Sequence, residues 1–391
     1  MAVNLTSADS ALKSYYLDAV AEQLNLNTNP FFAAIKNTSE DVWGKDVRKL
    51  AVYGIHGGVG AGTEDGSLPE AGGNGYAQFV TTLKNLYGSI EISDKAVRAS
   101  ESNAGAFVNL LNAEMEGLIK SSSYNLGRML FGDGSGILTK VSAVVNGIII
   151  IESPINLFEG MIIDFRDEDG NLIEGASGRR VVGLDREGKV MLVAGSKLDD
   201  EIVPIGSLIT LQGSYNNEIT GLGAIFDTKK DTLYGLSKME NVWLNPYIKG
   251  EIGTITEEKL QKALDAIEEN SGGSVNMIIC SWGVRRSLQR QLTADRSITS
   301  VELEGGYKTI SYNGIPIVVD RFCPPGTIYL LNTNDFQLHQ LCDWQWLEGD
   351  DGKVLKQVPG KPVYTATLVK YADLICSRPC GQGMLKDVIE E

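Results

Sequence analysis

Apolar side chains in this chain recur at changing periods, and the changes divide it into regions. Residues 7 to 26 place Leu12, Tyr15, Tyr16, Ala19 and Val20 three and four apart, which predicts a helix, with Ser7 or Asp9 able to cap its first turn. Asn27 to Pro30 ends it, and the stretch to about Leu50 is polar and mixed, with no period strong enough to imply a core of its own. It reads as an arm. Between Val52 and Tyr76 runs GIHGGVGAGTEDGSLPEAGGNGY, dense in glycine and too poor in large apolar residues to fold alone. Phe79, Thr81 and Leu83, then Tyr87, Ser89 and Glu91, alternate with their neighbours as strands do, so the glycine stretch is expected to be the tip of a long two-stranded excursion.

The longest helical pattern runs from about Asn103 to Phe131, with Phe107, Leu110, Leu111, Glu114, Met115, Leu118 and Ile119 along one stripe and FGDGSG ending it. At 1.5 Å per residue such a helix is a beam of about 40 Å. From 138 to about 213 the period drops to two. Six short runs (VSAVV, GIIII, MIIDF, RRVVGL, KVMLV, SLITL) are separated by turn signals at Val145-Asn146-Gly147, Asp169-Gly170 and Glu187-Gly188, the signature of a small antiparallel barrel or sandwich inserted in the chain. After Gly221 the pattern is mixed. Thr254 or Thr256 opens a helix with Leu260, Ala263, Leu264 and Ile267 on one face and Gly272-Gly273 at its end. The strand VNMIIC, the helix SWGVRRSLQRQL, a hairpin turning at Asn313-Gly314, the strand IYLLN and a last alternating strand VYTATLVKY complete an α+β order.

Composition narrows the function. Thirty-five basic against fifty acidic residues give a formal charge of −15, which supplies no large basic face, so contact with DNA is expected to be weak and non-specific. The five cysteines, Cys280, Cys323, Cys342, Cys376 and Cys380, are odd in number and scattered, as reduced thiols of a cytoplasmic product would be. MAVNLTSADSALKSYY is not a signal peptide, and no apolar run is long enough to span a membrane.

Candidate chemistry is thin. The glycine stretch lacks the Lys-Ser/Thr ending of a phosphate loop, and neither it nor FGDGSG has dinucleotide spacing. His56 and His339 are the only histidines, too few for a histidine metal site or a Ser-His-Asp relay. Cys376 and Cys380 have no second pair at zinc-site spacing. DFRDEDGNLIEG offers Asp167, Asp169 and Gly170 at calcium-loop offsets, yet the first and last ligand positions would be Phe165 and Ala176, so a hairpin turn is the better reading. The basic pairs Arg179-Arg180, Lys229-Lys230 and Arg285-Arg286 read as solvated faces. Glu257-Glu258 and Glu268-Glu269 sit at the two ends of one helix, the first pair at its positive pole. No catalytic, cofactor-binding or metal-binding residue is assigned, and the chain is expected not to be an enzyme.

Three stretches carry a resemblance: Asn313 to Leu338 (NGIPIVVDRFCPPGTIYLLNTNDFQL), Gly221 to Gly250 with Tyr234-Gly235-Leu236 and Trp243-Leu244-Asn245-Pro246, and RMLFGDGSG at the end of the long helix. They resemble the major capsid proteins of tailed bacteriophages, whose fold is shared with encapsulins. The resemblance implies an N-terminal arm at 1–50, an extended loop at 51–98 lying across a neighbouring subunit, a spine helix of the peripheral domain at 99–137, a β-rich insertion domain at 138–213, and the axial domain with the remaining peripheral strands at 214–391. It implies a structural head protein that assembles through hexamers and pentamers into an icosahedral or related shell around double-stranded DNA, within the virion, after assembly in the bacterial host cytoplasm. A portal, a decoration protein and a scaffolding protein would be partners, and the absence of a long charged helical prefix suggests a separate scaffold or a processed chain. The encapsulin alternative keeps the shell and replaces the genome with cargo protein. Some members of the family staple subunits through a lysine of the extended loop. Here no lysine lies between Lys49 and Lys84, so no such cross-link is expected.

Overall fold

The computed structural model describes residues 29–95, 104–294, 299–302, 308–349 and 352–390. The helix expected over 7 to 26 lies outside the described residues, as do the side chains of Phe107, Leu110 and Leu111. The fold is mixed α+β and is built around three hydrophobic cores.

The long helix, described over Ala104–Phe131, lies against the strand Lys84–Ser93. That strand alternates strictly, burying Leu86, Gly88, Ile90 and Ile92 and exposing Tyr87, Ser89 and Glu91. Gly88 is the point of closest approach, since a Cβ there would meet Leu118 Cδ1 of the helix at 2.8 Å. Lys84–Ser93 pairs antiparallel with Val363–Cys376, the central strand of a five-stranded sheet that also holds Phe336–Trp346. On its other side Lys84–Ser93 has no strand partner among the described residues.

A seven-stranded mixed sheet separates two of the cores. The period of two sorts its side chains: Ile278, Cys280, Ile328 and Leu330 face the core shared with helices Glu257–Ser271 and Trp282–Ala294. Met277, Ile279, Tyr329 and Leu331 face the main core, with the long helix and the five-stranded sheet. Thr256 caps the first of these helices, its hydroxyl accepting from Lys259 N at 3.3 Å. Leu260, Ala263, Leu264 and Ile267 are its buried face, and Gly272 closes it in the left-handed region at φ 63°.

All six runs between 138 and 213 form strands, and they close into a barrel. It has its own core around Ile149, Phe165, Val181, Met191 and Ile209. Its ends meet, because Thr210 pairs with Ile137.

In the stretch expected to be an arm without a core of its own, Phe31, Phe32 and Ile35 are buried in the main core, and Phe31 packs edge-on against Phe336 at 5.3 Å. The expected boundary at 50/51 also falls inside the strand Asp46–Tyr53. This strand pairs with Gly75–Thr82 in unbroken register from Asp46↔Thr82 to Tyr53↔Gly75, so the excursion is made by these two strands and Lys84–Ser93 belongs to the body. The alternation signal missed Asp46–Tyr53 because Leu50 and Val52 are apolar yet exposed.

Candidate assembly surfaces

The projecting hairpin is the most conspicuous candidate site. One face of its two strands is held on the body by aromatic packing. Phe79 is fully buried, 5.1 Å from the Tyr234 ring and 5.7 Å from Trp243, and Tyr53 stacks on Trp243 at 5.1 Å with the rings 6° apart. Gly75 opposite Tyr53 admits this ring, because a Cβ would lie 2.7 Å from it.

Two polar clasps reinforce the root. Thr81 donates to Asp373 Oδ2 at 2.5 Å, while Asp373 Oδ1 accepts from Thr220 N at 2.7 Å, so one buried carboxylate joins the hairpin, the body and the segment leaving the barrel. Burial pushes the Asp373 carboxyl upward, opposed by these hydrogen bonds. On the other strand, Lys49 Nζ donates to Gln337 Oε1 at 2.6 Å and Ser377 Oγ at 2.8 Å, and burial lowers its ammonium.

Beyond the root, burial stops. Ile55, Val59 and Leu68 at the glycine-rich tip are 91%, 85% and 89% exposed, and Trp43, Leu50, Val52 and Tyr76 along the shaft are also exposed. Apolar side chains left exposed on the tip and on one face of the ribbon mark an interaction surface rather than a local core. The element that follows the tip is the strand Gly75–Thr82, which leaves a phosphate there without the helix terminus that would bind it. His56 lies exposed in the tip, its Nδ1 accepting from Gly58 N at 3.1 Å.

The other sequence candidates have structural roles. His339 is fully buried, with Nδ1 2.9 Å from Glu40 O, and burial lowers its pKa. Asp167 holds the 167–171 turn by accepting from Asn171 N at 2.7 Å and Asn171 Nδ2 at 3.0 Å; these bonds lower its pKa. Phe165 and Ala176, where a calcium loop needs ligands, are buried in the barrel core. All five cysteines are free thiols, and burial raises Cys280 to about 12 and Cys376 and Cys323 upward as well, so these are inert rather than nucleophilic. No group of three or more metal-ligating side chains occurs among the described residues, and no described helix is long and apolar enough to cross a membrane.

Sequence reasoning missed the buried polar pairs. Arg128 of the long helix and Glu218 after the barrel form a bidentate pair at 2.8 and 2.5 Å, each 3% exposed. Lys370 Nζ reaches Asp343 at 2.6 Å and Gln340 at 2.7 Å. Partners 27 to 90 residues apart leave no local spacing signal. Asp320 is 2% exposed; Oδ1 accepts from Phe322 N at 2.9 Å, Oδ2 finds no partner among the described residues, and burial pushes its carboxyl up to about 7.

The sequence family described as SU10 major capsid protein matches residues 210–352, which include both Gly221 to Gly250 and Asn313 to Leu338. Among solved structures, the chain is similar to one in the capsid asymmetric unit of cyanophage A-1(L), with a TM-score of 0.54 at 12% identity, covering 94% of this chain and 92% of that one. A chain of the holo-SrpI encapsulin complex from Synechococcus elongatus PCC 7942 follows at a TM-score of 0.49 and 11% identity, covering 95% of each. No curated protein matches the sequence. The chain therefore has the fold of the tailed-bacteriophage major capsid proteins, and its 210–352 segment carries the sequence pattern of the SU10 major capsid protein.

Proposed function

We infer that this protein is a major capsid protein, a structural subunit that builds a closed multi-copy shell and catalyses no reaction. One observation carries the reading: a long hairpin, held on the body through Phe79, Tyr53 and Trp243, presents Ile55, Val59 and Leu68 to solvent on a tip that buries no side chain of its own. Such a segment gains its stabilisation from another copy, and many modest contacts repeated around a shell give durability without a tight pairwise interface.

In this reading the hairpin Asp46–Thr82 is the extended loop, Ala104–Phe131 the spine helix, the five-stranded sheet the rest of the peripheral domain, and the seven-stranded sheet with its two helices the axial domain. The subunits assemble as hexamers and pentamers around double-stranded DNA, in a virion put together in the host cytoplasm with a separate scaffold, a portal and possible decoration. The net charge of −15 supports loose contact with the packaged DNA. With no lysine between Lys49 and Lys84, the loop holds its neighbour without a covalent staple from its tip.

Expression with the scaffold followed by electron microscopy tests the proposal. Closed shells are expected; a protein that stays monomeric at high concentration would overturn it. Nucleic acid inside native particles agrees with the head reading, whereas an enzyme cargo in its place would assign the chain to a cellular compartment.

A further inference from the structure

Along one side the barrel is apolar on the outside as well as the inside. The run Ile148–Ile151 is apolar at every position, and the period of two turns Ile149 and Ile151 inward and Ile148 and Ile150 outward. Strand register extends the outward set into two rows. In the first, Asp185, Val190, Ile150 and Ala143 are paired in line across four strands. Two residues further along, Leu192 is paired with Gly183 and Ile148 with Val145, and Leu192, Ile148 and Val145 are 44%, 40% and 52% exposed. Between the rows, Leu184, Met191, Ile149 and Val144 point into the barrel core. Apolar side chains gathered in this way on a module whose interior is already filled mark a surface that another surface covers.

This face looks away from the rest of the subunit. Around the closed ring, Val190–Val193 and Ile148–Ile151 stand opposite Leu208–Leu211 and Ile162–Arg166. The latter side, through Met161, Ile162, Leu211 and Gln212, borders a groove against the long helix. The charges at its two ends are of opposite sign. Val181 points inward, so the exposed Arg180 points outward beyond Gly183, while Asp185 closes the other row on the same strand. In the turn below Asp185, Glu187 and Lys189 offset one another, and Arg186 is turned away, donating to Pro154 O at 3.1 Å and Leu157 O at 3.0 Å. The face therefore complements its own image: inverted end for end, its positive edge meets its negative one and its exposed row meets its half-buried row.

We propose that this face docks on the same face of a second copy of the chain, about a two-fold axis running along the rows, so that Leu192 and Ile148 of each copy lie on Val190 and Ile150 of the other and Arg180 of each reaches Asp185 of the other. Four strands at about 4.8 Å spacing make a face about 14 Å across. It covers a few hundred Å², well below the roughly 800 Å² per partner of a stable pair. The contact therefore forms between barrels that a shell already holds side by side, and the proposal rests on the shell reading.

Particles assembled from the full-length Leu192→Cys chain and treated with a short bis-maleimide test it, with the linked peptides identified by mass spectrometry. A link between the 192 positions of two copies is expected. Should that substitution block assembly, Ile148→Cys takes its place. Arg180→Glu should lower the yield of the link about threefold, because two repulsive pairs replace two attractive ones, and Arg180→Glu with Asp185→Arg should restore it. Closed particles without the link, a link from position 192 to another protein or to another part of the neighbouring copy, or a double variant no better than Arg180→Glu would each overturn the proposal while leaving the shell reading intact. Failure of the unsubstituted chain to form closed particles would overturn both.

Discussion

The barrel and the hairpin, separated by the long helix in sequence, solve the burial problem in opposite ways. The barrel closes its six strands on one another and fills the interior with Ile149, Phe165, Val181 and Met191, all essentially inaccessible. The hairpin pairs eight residues with eight, buries Val47, Ala51 and Phe79 along one face, and leaves its tip in solvent. A two-stranded ribbon is marginal by itself in water, whereas a closed barrel leaves no open edge. One region is closed on itself and the other leaves apolar side chains in solvent.

The largest effect that could break this contrast comes from shortening the hairpin. Replacing residues 55–73 by an Asn-Gly turn should abolish assembly, read by sedimentation, while the melting temperature of the isolated subunit moves little. A large drop in melting temperature would mean that the tip packs on its own chain after all. Within the barrel, Phe165→Ala should cost about 3–5 kcal/mol of barrel stability by denaturant titration, as expected for an aromatic ring removed from a closed core.

The junction between the regions can be tested next. Arg128→Ala leaves Glu218 buried and uncompensated and should destabilise by about 3–5 kcal/mol, whereas Arg128→Met with Glu218→Leu should be close to neutral. Excising 138–209 and joining the ends should leave a folded body, since Ile137 and Thr210 are paired neighbours. The loss would include the Tyr124–Phe158 contact at 4.2 Å and Arg321 stacked over Phe158 at 4.3 Å, the latter worth about 0.5–2 kcal/mol. A body that no longer melts cooperatively would show that the barrel is integral to the core.

Smaller shifts sharpen the picture of the body. Burial raises the Asp320 carboxyl to about 7, so the unfolded chain ionises first as pH rises. Stability should therefore be greatest below about pH 4 in this respect and decline as pH rises to 7, and Asp320→Asn should flatten that decline. At the small end, Thr256→Ala should cost about 1 kcal/mol through the lost helix cap.

Much of the local structure was legible in the chain because its causes are local. Asn146-Gly147 and Asn313-Gly314 turn with both residues at positive φ (53° and 81°, 50° and 81°), as the hairpin signal requires. Glu187-Gly188 marks a turn in the right place, but Lys189, at φ 52°, takes the left-handed position. The glycine tip was legible as a segment without a core. Its upstream strand was not, because Leu50 and Val52 are apolar yet exposed and so break the alternation of apolar and polar positions.

The sequence by itself determined the elements: the long helix and its glycine stop, the six barrel strands, the helix opened by Thr254 or Thr256 and the strand around Met277 to Cys280. Only the tertiary structure decided which strands pair, that Phe31 and Phe32 anchor the front of the chain, and that Asp373, Lys370, Arg128 and Glu218 sit buried with distant partners. The physical reason is range. Propensity, capping and turn geometry act over a few residues and leave a repeating trace, whereas a buried charge is tolerable only beside a partner that folding itself brings into reach.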